Sequence, residues 1–103
     1  MDVGIDITSI ERFKDKKTRF IEYILTNEER ADFSCCVDAN KARFLATHWA
    51  CKEAIFKATQ DKDYLKYTIK KDENGKPYVL GHDDMKISIS HEGDMVVAIC
   101  IKF

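Results

Sequence analysis

The sequence predicts an α+β fold: a mostly antiparallel sheet packed against one long helix, with short helices near the N-terminus. Three observations carry this. Residues 2 to 8 form a weakly alternating, largely apolar segment of strand character. The stretch from Asp38 to Thr59 contains neither glycine nor proline and sustains helical spacing. Beyond Leu65, β-rich segments follow one another with turn signals between them, and strands grouped after helices indicate antiparallel pairing.

The elements follow in order. The opening strand holds Val3-Gly4-Ile5-Asp6-Ile7. Side chains alternate along a strand, so Gly4, Asp6 and Thr8 share one face while Val3, Ile5 and Ile7 share the other. Ser9 to Leu25 carries Ile10, Phe13, Phe20, Ile21 and Ile24 at helical offsets, which predicts two short helices. Thr26-Asn27-Glu28-Glu29 is a capping box: the Thr26 hydroxyl takes an orphan N–H and Glu29 reaches back to the cap. A helix is predicted from there to about Ser34, and the long helix covers Asp38 to Thr59. Leu65 to Lys71 is β-rich, and Asn74-Gly75 turns the chain into the extended segment Pro77 to Leu80, which predicts a hairpin. Met85 to His91 and Met95 to Phe103 are the last two strands, joined tightly through Glu92-Gly93-Asp94.

A chain of 103 residues, 45% hydrophobic and 34% charged, suits a single domain over 1–103 with one modest core. The net charge of −1 gives no global steer toward nucleic acid. No basic leader with a long apolar run opens the chain, and no segment reaches the length of a membrane span. Cys35, Cys36, Cys51 and Cys100 lack zinc-ligand spacing, and Cys51 and Cys100 sit in apolar contexts as buried thiols. A reducing, cytoplasmic setting is the expectation. Locally, Arg12, Lys14, Lys16, Lys17 and Arg19 form a basic patch against Glu11 and Asp15. It reads either as a solvated face or as the docking point of an acidic partner.

Candidate chemistry gathers on the first strand and the long helix. Glu53 and Lys57 are four residues apart, hence on one helix face. As an exposed pair they stabilise the helix by roughly 0.2–0.5 kcal/mol and do nothing else. Their surroundings argue for more, because Trp49, Ile55 and Phe56 cannot all face away from the protein. Asp6 stands in an apolar strand with room beside it at Gly4. Two carboxylates near a lysine suit a hard cation and a phosphate. Ser88 and Ser90 share one face and His91 stands at the strand end; all three side chains can donate to phosphate oxygens. Lys52 reads as a phosphate contact or an ordinary helix charge, and His48 as a surface or core-edge histidine.

Together these residues resemble a known family. Gly4-Ile5-Asp6-Ile7-Thr8 with Ile10, Arg12 and Phe13 is one block. Phe44-Leu45-Ala46 followed by Trp49-Ala50-Cys51-Lys52-Glu53-Ala54 and Lys57-Ala58 is the second. Gly75-Lys76-Pro77-Tyr78 with Ser88-Ile89-Ser90-His91 is the third. In this order they are similar to the holo-[acyl-carrier-protein] synthases, the small bacterial 4′-phosphopantetheinyl transferases. The resemblance implies transfer of the phosphopantetheine arm of coenzyme A to a serine of apo-acyl carrier protein, with adenosine 3′,5′-bisphosphate released, in fatty acid biosynthesis. It implies Mg²⁺ on Asp6 and Glu53, with Glu53 or a water on the ion taking the serine proton. Lys57 would sit on the phosphates, and Ser90, His91, Lys41 and Lys76 would bind the coenzyme A phosphates. Arg12, Phe13, Lys14, Arg19 and Phe20 would meet the carrier protein. It also implies a homotrimer with active sites between subunits.

Two positions depart from the family pattern. His48 stands where arginine is usual, which shifts its phosphate contact toward Lys41 or Arg43. The loop Thr59 to Asp63 has no glycine. A rival reading is a binding module using the basic patch without catalysis. For RNA the sheet would need exposed aromatics, and Tyr67 and Tyr78 alone lack the basic surroundings, so nucleic acid is not expected as a partner. A membrane partner is not expected either.

Overall fold

The computed structural model describes residues 1–103. Strand β1 spans Asp2–Ser9 and is followed by a 3-10 turn at Ile10–Phe13. Helices α1 (Thr18–Ile24), α2 (Asn27–Ser34) and α3 (Asp38–Thr59) come next. A second 3-10 turn, Tyr64–Lys66, leads into β2 (Ile69–Lys71), β3 (Pro77–Val79), β4 (Met85–Glu92) and β5 (Met95–Lys102).

All strand pairs are antiparallel, as expected, but they form two sheets rather than one. β5 lies between β1 and β4, and the β2–β3 hairpin stands apart. The β-rich stretch from Leu65 is also shorter than its composition suggests. Tyr64–Lys66 turns as a 3-10 helix because the Asp63 carboxylate accepts the Leu65 N–H at 3.2 Å, and pairing starts only at Ile69. The first predicted helix of the N-terminal segment is the single turn at Ile10–Phe13. It is held by Asp94, whose carbonyl accepts Ile10 N at 2.8 Å and whose carboxylate accepts Glu11 N at 3.2 Å. The capping box forms in full, with Thr26 Oγ1 accepting Glu29 N at 3.3 Å and Glu29 Oε1 accepting Thr26 N at 2.9 Å.

The core lies between α3 and the β1-β5-β4 sheet. Ala46, Ala50, Ala54 and Ala58 recur every fourth residue and are all buried, so α3 presents a ridge of small side chains to the sheet. β5 meets it with Val96, Ala98 and Cys100, and β1 with Gly4 and Thr8. Gly4 is the point of closest approach. A Cβ there would lie 2.0 Å from the Ala54 carbonyl oxygen and 2.8 Å from Ala58 N. Only glycine lets strand and helix backbones come this close.

Candidate active site

This packing decides where the polar side chains go. β1 turns its polar side, Gly4, Asp6 and Thr8, inward onto α3, and its apolar side outward. Asp6 therefore faces the last two turns of α3. Lys57 reaches across, donating to Ile5 O at 2.9 Å and lying 3.4 Å from Asp6 Oδ1. The expected Glu53–Lys57 pair gives way to a Lys57–Asp6 pair, because the close approach at Gly4 puts the strand nearer than the neighbouring helical turn. Glu53 is held instead by Tyr64, whose hydroxyl donates to Glu53 Oε1.

The electrostatics follow from burial. Loss of hydration raises the Asp6 pKa, the Lys57 hydrogen bond and charge pull it back, and the Glu53 carboxylate adds to the rise. The two carboxylates therefore feel one another. Asp6 Oδ2 is buried and has no hydrogen-bond partner. An orphaned carboxylate oxygen beside a second carboxylate is a fit for a divalent ion. No third His, Cys, Asp or Glu converges to complete a protein cage. That donor set suits Mg²⁺, which keeps water and substrate phosphates among its ligands.

Around the carboxylates the expected residues separate. Arg12 folds back onto β1, donating to Thr8 Oγ1 at 3.0 Å with its guanidinium 5.4 Å from the Phe13 ring centroid. Phe13 is 2% exposed and packs on Phe20 and Trp49 at 6.0 and 6.2 Å, so it serves the core and offers no surface anchor. Phe20 and Ile21 are half-buried beside it. Lys14 pairs with Glu11 at 2.7 Å. Lys16, Lys17 and Arg19 are exposed and line a cleft of about 860 Å³ with Phe20, Tyr23, Lys62 and Tyr64. The basic patch thus opens onto the tyrosine that holds Glu53.

A second cleft, of about 810 Å³, lies at the other end of α3. Its lining includes Arg43, Thr47, Lys70, Lys71, Tyr78 and His91, and none of Asp6, Glu53 or Lys57. His91 faces α3, with Nε2 and Thr47 Oγ1 hydrogen-bonded at 3.2 Å. Burial together with the Arg43 and Lys71 charges lowers its pKa. Ser90, next along β4, points to the opposite face of the sheet. Lys41 is turned away, donating to Phe33 O at 3.0 Å, and Lys76 is exposed on the hairpin turn outside the lining. The cleft's cations are Arg43, Lys70 and Lys71.

Lys52 is neither a phosphate contact nor a surface charge. It is buried and donates to Glu29 Oε1 at 2.8 Å, Tyr64 O at 2.8 Å and Tyr67 O at 2.5 Å. Glu29 Oε2 accepts Ile69 N at 2.8 Å, and His48 Nε2 lies 3.6 Å from the same oxygen. His48 Nδ1 donates to Phe44 O at 2.9 Å, and burial lowers its pKa against the opposing pull of Glu29. Tyr64 and this buried network escaped the sequence reading. Tyr64 lies on a separate turn, and the capping box announced Glu29 only as a local cap.

Comparison with known proteins identifies the family. Residues 2–100 match the family described as the 4′-phosphopantetheinyl transferase superfamily. A holo-[acyl-carrier-protein] synthase of Mycoplasma mobile is 40% identical over 101 residues, covering 97% of this chain and 87% of its own. The fold superposes on a holo-[acyl-carrier-protein] synthase of Neisseria meningitidis with a TM-score of 0.87 at 27% identity, covering 99% and 97% of the two chains. It also superposes on a holo-(acyl-carrier-protein) synthase from Bacillus anthracis solved in complex with CoA (3′,5′-ADP), with a TM-score of 0.84, 29% identity and 96% and 92% coverage. With its paired carboxylates, its fold and its full-length relatives in accord, the chain belongs to the holo-[acyl-carrier-protein] synthase family of 4′-phosphopantetheinyl transferases.

Proposed function

We propose that this enzyme transfers the 4′-phosphopantetheine arm of coenzyme A to a serine hydroxyl of apo-acyl carrier protein, in the cytoplasm and in service of fatty acid synthesis. The observation that carries the reading is Asp6 paired with Lys57 and within electrostatic reach of Glu53 beside the Gly4 contact, with one buried carboxylate oxygen unpartnered. The carrier's serine oxygen attacks the phosphorus that bears the arm. The bond from that phosphorus to the bridging oxygen breaks, and adenosine 3′,5′-bisphosphate leaves. Asp6 and Glu53 would hold Mg²⁺, which when bound neutralises diphosphate charge. Glu53, or a water on the ion, would take the serine proton. Lys57 offsets charge that builds on the leaving phosphate.

The two clefts suit the two substrates. The cleft lined by Lys16, Lys17, Arg19 and Lys62 together with Asp15, Glu22 and Asp63 keeps a small excess of positive charge, which suits an acidic carrier. The Arg43–Lys70–Lys71–His91 cleft suits the nucleotide phosphates of coenzyme A. That second cleft shares no residue with the carboxylates, which supports a site completed by a neighbouring subunit. The homotrimer is further supported by the outer sheet face. Val3, Ile5 and Ile7 are 61%, 57% and 59% exposed, and Val97, Ile99 and Ile101 lie beside them on β5. The test is to incubate the protein with Mg²⁺, coenzyme A and an apo carrier protein, then weigh the carrier. A gain of one phosphopantetheine arm is expected. No gain with any bacterial apo carrier would overturn the assignment.

A further inference from the structure

Glu53 has one donor from the chain, and it does not come from the helix that carries it. Its neighbour one turn on, Lys57, is drawn to Asp6 and the Ile5 carbonyl. The Tyr64 hydroxyl fills that place at Oε1. The tyrosine has little freedom to do otherwise. Its ring is buried between Trp49, at 5.8 Å, and Tyr23, at 5.6 Å, each meeting it edge to face. Its own carbonyl accepts the buried Lys52 ammonium at 2.8 Å, and the turn it starts is capped by Asp63. Lys52 is itself fixed by Glu29. The phenol is therefore anchored from the core through its main chain and directed outward through its ring.

We propose that Tyr64 is a positioning residue for Glu53: by occupying Oε1 it holds the carboxylate in one orientation and leaves Oε2 as the one oxygen free of donors from the chain. This rests on the transferase reading above. A glutamate side chain has several rotatable bonds, and without the phenol its carboxylate would sample many orientations at the surface of α3. An acid fixed by a neighbouring donor binds an ion without first losing that freedom. Lys52 contributes at one remove, by clamping the turn that carries Tyr64.

Tyr64→Phe removes the donor and keeps the ring packing and the main-chain clamp. Tyr67→Phe is the matched control, since Tyr67 also gives its carbonyl to Lys52 but donates its hydroxyl to Asp61. The probe is Mn²⁺, titrated in the presence of coenzyme A and followed by the electron paramagnetic resonance signal of the free ion. Tyr64→Phe is expected to weaken Mn²⁺ about 10-fold and to lower kcat by a similar factor, with KM for the carrier unchanged. Tyr67→Phe is expected to match the parent in both. If Tyr64→Phe binds Mn²⁺ as the parent does, the inference fails. It fails equally if the two variants weaken Mn²⁺ alike, because the effect would then belong to the turn and not to Glu53. A parent protein that binds no Mn²⁺ would overturn the metal reading as well, whereas equal binding by parent and Tyr64→Phe overturns this inference alone.

Discussion

Lys52 carries its charge into the core, while the next residue, Glu53, keeps its carboxylate at the edge of the site. The buried ammonium is tolerable because all three of its donors are used, by Glu29 Oε1 and two carbonyls. Removing one member of such a pair leaves an uncompensated charge, so Glu29→Ala should cost about 3–5 kcal/mol in urea denaturation. The same network sets a pH dependence. His48 has a lowered pKa because burial disfavours its charged form. Glu29 and Asp32 oppose that lowering, and Lys52 adds to it. As pH falls below about 6.5, the unfolded chain takes up a proton that folded His48 resists, and stability is lost. His91 is shifted in the same direction. The melting temperature should therefore drop between pH 7 and pH 5, and the drop should be smaller in His48→Gln.

β1 and α3 show at the scale of elements what the sequence made legible. The period-2 pattern correctly grouped Gly4, Asp6 and Thr8 on one face. Apolarity alone would have put Val3, Ile5 and Ile7 inward, yet they are outside. The alanines at every fourth position of α3, together with Gly4, were the available signal that the small polar face belongs inside. The capping box and the glycine-free helix were legible because both are local patterns. The division into two sheets and the Lys57–Asp6 pairing were not, because long-range packing decides them. The close approach has a direct test. Gly4→Ala places a methyl group against the Ala54 carbonyl and should cost about 3 kcal/mol in urea denaturation. It should also slow transfer in whatever fraction remains folded, since Asp6 moves with the strand.

At the scale of the whole molecule, two groups of cations mark the clefts, Lys16, Lys17, Arg19 and Lys62 at one and Arg43, Lys70 and Lys71 at the other, and Tyr64 links the first cleft to Glu53. On the outer face of the sheet β1 and β5 are apolar, although α3 covers only the inner face. In the proposed trimer this outer face is the subunit interface, and Ile5→Lys should break it. Sedimentation should report the parent at three chain masses and the variant at one. Where the site is shared between subunits, the variant should also lose transfer. The central claim is that the Asp6–Glu53 pair, brought together by the Gly4 contact, performs the chemistry. Its most direct measurement is the mass of an apo carrier protein after incubation with coenzyme A, Mg²⁺ and either the parent or Glu53→Gln. The account predicts conversion by the parent and none by a Glu53→Gln protein that melts as the parent does; conversion by both at comparable rates would contradict it.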